Sequence, residues 1–371
     1  MRNAFRKPRL FREIPPPRDV LRSQLLARKG GVIGTGGRAV VALRFDDAPF
    51  AFRHKILPLL VSRGLPYTRV TTSYKIHSGT IQEKEFPLLQ KHAINYGGEI
   101  WNHGATHTDA TGSDDMYREL IEPLYRLRSM MPRIPIDCFS PPGGATISFD
   151  GFMPAQNNEN WLTEAGSMLR EHHALVSGYL QNTYYRNLTG YLRDGQIHYS
   201  LDPYNYQRSV ELIDRVVSWT SGTVLMWHAN KIDVQNHMSL KVFEEVLDYI
   251  VNLRDSGKLQ VLTCSGLSVA DAGSSYRDNA LATSEGDPFE ELITYAKFRE
   301  SIPGSTRELT AEITAPPGST VTSFIGSSKR AHLIPESGFL KLRHVATIPL
   351  DVSKLRVSID AKASKVSLNA V

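Results

Sequence analysis

Between Arg38 and Ala270 the chain repeats one alternation, a short apolar run that reads as a buried strand and then a longer stretch that reads as a helix. AVVALRF, YTRVTT, GGEIWNH, IDCFSPP, TVLMWHA and LQVLTCS are the strand candidates; FRHKILPLLVSRG, DMYRELIEPLYRLRSMM and SLKVFEEVLDYIVNLRDSG are helical stretches. Strands alternating with helices predict a mostly parallel sheet covered by helices, because each crossover needs a helix's worth of chain. Five or more such units can close into a barrel, which places the fold in the α/β class.

The two ends have a different texture. Residues 1–38 form a basic N-terminal arm with ten Lys/Arg against Glu13 and Asp19, so the remainder of a chain with net charge +5 is itself slightly acidic. The arm reads as a solvated tail or as a dock for an acidic partner, and the acidic body argues against nucleic acid. RDVLRSQLLARKGG predicts a short helix ended by glycine. GVIGTGG lacks a complete GxGxxG and precedes a strand, so no dinucleotide site is expected. Residues 271–303 read as a linker or first sandwich segment, and 304–371 as a small C-terminal antiparallel β-sandwich of short alternating runs, suited to carbohydrate binding or oligomerisation. No run reaches the roughly 18 apolar residues that a membrane span needs, so no membrane insertion is expected. The N-terminus has positive charge without a following apolar region and does not read as a secretory signal. Cys138 and Cys264, each inside an apolar run, suit buried thiols better than a disulfide.

Polar residues gather at four strand ends, where α/β folds assemble their sites. The first is RFDDAP, with Asp46 and Asp47 adjacent. Two carboxylates can divide labour as cation ligand and free base, although such a pair taken alone better suits a helix N-terminus. The second is NHGATHTD, where His103 and His107 stand four apart; imidazole with carboxylate oxygen is a donor set that zinc favours. The third, FSPPGG, is a turn in which Pro142 stiffens the loop and Gly143 lets backbone approach a ligand. The fourth is VLMWH, ending in His228, a residue able to donate a proton.

In this order the segments RFDDA, HGATH, SPPGG and LMWH resemble the polysaccharide deacetylase family that shares the NodB homology domain, carbohydrate esterase family four, over roughly residues 39–270. The resemblance implies a distorted (β/α)7-type barrel and a hydrolase acting on carbon–nitrogen bonds other than peptide bonds. It makes Asp47, His103 and His107 ligands of a divalent metal, most simply Zn2+, and Asp46 the base. His228 becomes the general acid, and Gly143 the backbone donor to the oxyanion. Asp202 in SLDPY is the matching acidic partner of His228, while Pro142, Trp227 and Tyr204 are candidate substrate contacts. The implied partner is an N-acetylated glycan such as peptidoglycan or a chitin-like polymer.

The departures carry as much as the matches. The family's third-motif arginine, which holds the catalytic aspartate, is Ser140 here. Arg44 lies two residues before Asp46, on the same side of a strand, and is expected to restore the missing charge. Gly104 removes a hydroxyl with little expected consequence, and Ala48 in place of glycine asks for a different turn. The competing reading is a weakened or inactive carbohydrate-binding protein on the same scaffold. By architecture alone, the arm and terminal β domain suit a virion-associated phage tail protein delivered to a cell surface, with assembly or homo-oligomer contacts made by those two ends.

Overall fold

The computed structural model describes residues 12–371 except 77–78, 81–82, 144–146, 155, 181–182, 273–288, 295–305, 326–327, 348–353, 360–364 and 371. Its centre is strand β1 (Ala39–Asp46), buried along its whole length. Around it lie β2 (Tyr67–Thr71), β3 (Gly98–Asn102), β4 (Cys138–Phe139), β5 (Leu175–Val176), β6 (Tyr199–Ser200), β7 (Gly222–His228) and β8 (Leu259–Leu262). The order across the sheet is β5-β4-β3-β2-β1-β7-β6, with β8 also paired to β1, and every pairing is parallel. One flank of β1 is shared, β8 pairing with Ala39–Ala42 and β2 with Arg44–Asp46. The other flank belongs to β7, whose register sets His228 opposite Asp46. The expected parallel α/β barrel is thus present.

Strand alternation sorts β1 into two faces. Ala39, Val41, Leu43 and Phe45 pack outward under the helices, in one core with Trp227 and Phe243. Val40 and Ala42 join a second core with Trp101, Leu175 and Val224. Arg44 and Asp46 continue that second face, so both charges lie on the barrel's inner side. The same alternation corrects the expectation for Trp227. It is fully buried, stacked 5.6 Å from Phe45 and edge-on to Phe243 at 5.3 Å, because it is next to His228 and therefore points the opposite way.

The covering helices include α1 (Arg18–Arg28), α2 (Leu57–Ser62), α3 (Glu85–Asn95), α4 (Glu122–Met130), α5 (Glu164–His172), α6 (Tyr206–Ser218) and α7 (Leu240–Asp255). Thr163, Asn205 and Ser239 cap α5, α6 and α7 with their side-chain oxygens. Both α2 and α4 are entered through a π turn, Phe52–Ile56 and Tyr117–Ile121, with Pro58 and Pro123 two residues further on. A proline ring inside a helix collides with the carbonyl four residues back, and a widened turn makes room for it.

The solvated-tail reading of the arm does not hold for its described part. Helix α1 forms as expected, and Ile33–Gly34 pairs with Ala270–Asp271. Its basic residues are paired with carboxylates of the body: Arg12 with Asp114 at the surface, Arg18 and Arg22 with Asp194, Arg28 with Asp137, and Lys29 with Glu99. Arg2, Arg6, Lys7 and Arg9 lie outside the described residues. Among the described residues no helix is long and apolar enough to cross a membrane. Cys138 and Cys264 are buried free thiols, and burial holds Cys138 well above its ordinary value and Cys264 at about 12.

Toward the C-terminus, β9 (Phe289–Thr294), β10 (Thr306–Thr314), β11 (Thr320–Ile325), β12 (Ser328–Leu333), β13 (Phe339–Thr347), β14 (Lys354–Ile359) and β15 (Lys365–Ala370) form two antiparallel sheets, ordered β9-β14-β11-β12 and β13-β10-β15. His344 on β13 joins them through Ser323 Oγ at 2.9 Å and Ser328 Oγ at 3.0 Å, and Ile313, Val321 and Leu342 of the same sheets are buried. Residues 273–288 of the expected linker are not among those described.

Truncating Trp227 to alanine is expected to remove about 3–5 kcal/mol of stability by emptying the outer core. The check is a guanidinium unfolding curve with a lower midpoint.

Candidate functional site

Four loops leave the C-terminal ends of β1, β3, β4 and β7 and carry the motif residues. After β1 the chain turns through two left-handed residues, Asp47 (φ 52°) and Ala48 (φ 45°). Such backbone costs about 1–2 kcal/mol per non-glycine residue unless its surroundings impose it. Arg69, in the middle of β2 and fully buried, imposes it by donating to the carbonyls of Phe45 at 2.5 Å, Val70 at 2.9 Å, and Asp47. Burial pulls the Arg69 guanidinium down to about 10 against the pull of Asp47 and Asp46. The sequence reading missed Arg69; its signal was a lone charge inside a strand run.

Arg44 does meet Asp46. Its Nε donates to Asp46 Oδ1 at 2.7 Å and its Nη2 to Oδ2, a bidentate pair with both side chains almost wholly buried. Burial raises the Asp46 carboxyl, but the Arg44 guanidinium outweighs it and holds the group far below the ordinary carboxylate range. The Nη1 of Arg44 lies 3.2 Å from His198 Nδ1. Arginine can only donate, so that nitrogen accepts and His198 is neutral, in keeping with a pKa brought down to about 3 by burial and by Arg44.

The second loop is shaped by a residue that sequence reasoning did not single out. Glu119 accepts from the backbone N–H of Thr106 at 2.9 Å and of His107 at 3.0 Å, and from Thr106 Oγ1 at 2.7 Å. It thereby holds His107 in a left-handed conformation (φ 66°). Gly104 is not the neutral substitution expected: it has φ +84°, and a Cβ there would sit 3.0 Å from the Glu119 carbonyl oxygen. His103 shares its Nδ1 proton with the Ser140 carbonyl at 2.7 Å, which leaves Nε2 to face the cluster.

Asp47, His103 and His107 come together with one ligand atom each within 4.8 Å of the others. Asp47 Oδ2 is 3.6 Å from His107 Nε2, and Asp47 Oδ1 is a buried oxygen with no hydrogen-bond partner. A buried carboxylate oxygen left bare costs about 1–3 kcal/mol or more. One carboxylate and two imidazoles are a divalent-ion donor set, so the residues fit the implied metal. Burial lowers His103, against Asp47 and Asp46, and so favours the neutral ring that a ligand requires.

On the opposite side, His228 donates from Nδ1 to Asp202 Oδ2 at 2.6 Å, and its backbone N–H donates to Asp202 Oδ1 at 2.8 Å. Burial lowers this imidazole, but the bond to Asp202, with Asp46 beyond it, outweighs that and raises its pKa. Gly143 has φ +69°, and a Cβ there would overlap Ile147. Pro142 is buried, so it sets the course of the loop and offers no face to a substrate, contrary to expectation. Tyr204 is half-buried with the Arg208 guanidinium over its ring at 4.1 Å.

A parallel barrel presenting a carboxylate–imidazole cluster beside an arginine-paired aspartate and a carboxylate-bound histidine defines a hydrolase-type site. Residues 34–158 match the family model described as polysaccharide deacetylase, which bears out the resemblance of the motifs and, with it, a hydrolase acting on carbon–nitrogen bonds other than peptide bonds. His228 and Asp202 lie beyond the matched segment. No curated protein matches the chain. Among solved structures the chain is similar to a family 4 acetyl xylan esterase from Clostridium thermocellum in complex with a cobalt ion, at 18% identity over 62% of this chain and 89% of that one, TM-score 0.40. It is also similar to the catalytic domain of a peptidoglycan N-acetylglucosamine deacetylase from Eubacterium rectale (14% identity, 65% and 94% covered, TM-score 0.41). A third is a CE4 family pseudoenzyme from Bacillus anthracis (14% identity, 63% and 66% covered, TM-score 0.37).

Replacing Glu119 by alanine releases the loop that carries His107. Zinc affinity by titration calorimetry is expected to fall about 10- to 100-fold while the circular dichroism spectrum is kept.

Proposed function

We propose that the protein removes N-acetyl groups from a carbohydrate polymer, with Asp47, His103 and His107 holding a divalent metal, most simply zinc. The observation that carries this reading is the convergence of those three side chains around the unpartnered Asp47 oxygen. A metal held there supplies Lewis acidity toward the acetyl carbonyl and toward water, whose pKa it lowers. Asp46, kept ionised by Arg44, takes a proton from the attacking water. The water oxygen bonds to the acetyl carbon, the C–N bond breaks, and His228 gives its Nε2 proton to the departing nitrogen, leaving acetate and a free amine. The Gly143 N–H is the donor assigned to the carbonyl oxygen as charge builds there. Asp202 keeps His228 in one orientation with Nδ1 engaged, so Nε2 is the end that exchanges protons.

The reading of a decayed binding scaffold rested on Ser140. Arg44 supports the enzyme instead, because the charge missing from the third motif reaches Asp46 from two residues away on the same strand.

Metal analysis and acetate release from N-acetylated glycans test the proposal together: Asp47→Ala is expected to lose the ion and the activity, and a wild-type protein that holds zinc but frees no acetate from any such glycan overturns it. Arg44→Met is expected to keep the metal while kcat falls about 100-fold, within the range for general base catalysis. The acid must be protonated, so activity declines as pH rises through the raised His228 pKa. Asp202→Asn removes the carboxylate that raises it, and the alkaline limb of the kcat/KM profile is expected to move to lower pH.

A further inference from the structure

The function proposed above makes no use of the basic arm, yet the arm ends in an arrangement that is electrically incomplete. Helix α1 brings Arg18 and Arg22 against Arg170 of α5, and all three address a single carboxylate oxygen. Arg18 Nη2 is 2.6 Å, Arg22 Nη2 3.2 Å and Arg170 Nε 3.6 Å from Asp194 Oδ2. The other oxygen of Asp194 accepts the Val176 backbone N–H at 3.0 Å.

Three guanidinium groups on one carboxylate leave two positive charges in excess. The three arginine side chains are only 15–25% exposed, so water screens that repulsion poorly while leaving the cluster reachable. Among the described residues Asp194 is the carboxylate that pulls Arg170 up; burial, together with Arg18 and Arg22, outweighs it and brings the Arg170 guanidinium down to about 10. Backbone carbonyls take part of the demand, His173 from Arg18 Nε at 3.4 Å and Ala174 from Arg22 Nε at 3.1 Å. Arg170 stands in the last turn of α5, whose carbonyl end contributes about half a negative charge. Neither source balances the excess. The Nε of Arg170 is a buried donor without a hydrogen-bond partner, and each guanidinium has five N–H groups in a planar fork that fits an oxyanion.

We propose that Arg18, Arg22 and Arg170 form a binding site for one oxyanion, a phosphate, sulfate or carboxylate group, which they hold together with Asp194. The site joins α1 to α5, so occupancy tightens the attachment of the N-terminal helix. It gives the basic arm an anionic partner at a defined place. It stands independently of the deacetylase reading.

Sulfate is the probe, used on the full chain. At about 20 mM it is expected to raise Tm by roughly 2–4 °C over sodium chloride of equal ionic strength, more than its general salting effect at that level. Calorimetry is expected to show one site. Arg22→Gln should lose most of the gain and weaken sulfate at least tenfold; Arg170→Gln serves if the first variant does not fold. Asp47→Ala should keep the gain, which separates this site from the metal cluster. Equal Tm in the two salts, a gain that survives both arginine variants, or a gain lost in Asp47→Ala overturns the proposal.

Discussion

A carboxylate on the inner face of a barrel needs a cation beside it, and for Asp46 that cation is Arg44. Removing either partner would leave the other as a bare buried charge, at a cost of about 3–5 kcal/mol. The pair also aligns the site. Asp46 is opposite His228 in the β1–β7 register, so fixing one carboxylate fixes its distance to the proposed acid. The turn that follows must deliver Asp47 to the cluster, and it does so only because Arg69 ties down its carbonyls. Two buried arginines thus govern two adjacent aspartates, one through its carboxylate and the other through its backbone.

The same division appears elsewhere around the cleft. His103 and His107 are set by groups that bind no metal themselves, the Ser140 carbonyl and the Glu119 carboxylate. His228 is set by Asp202 through both its ring and its backbone. Each of these three histidines is held by a partner from another segment, His103 and His228 through the ring and His107 through its backbone, before any ligand arrives.

Much of the barrel could be read from the chain because buried parallel strands leave long apolar runs between amphipathic helices. The polar motifs at the strand ends were legible for the same reason, as interruptions of that pattern. Trp227 is adjacent to His228, but adjacency on a strand means opposite faces, and the ring belongs to the outer core. Gly104 read as a lost hydroxyl, whereas its positive φ and its closeness to Glu119 explain the glycine. The described part of the basic arm read as solvated because its counter-charges, Asp114, Asp137, Asp194 and Glu99, are scattered through the following 165 residues of the sequence.

The amino-acid order alone determined the α/β alternation, the antiparallel texture of the C-terminal runs, the placing of carboxylates and imidazoles at strand ends, and the two-residue spacing that turns Arg44 toward Asp46. These are local properties, set by periodicity within a few residues. Only the tertiary structure decided which distant groups meet: Asp202 with His228, Glu119 with the His107 loop, Arg69 with the Asp47 turn, and three arginines with Asp194. Those meetings depend on sheet register and helix docking, and neither is encoded in any short stretch of chain.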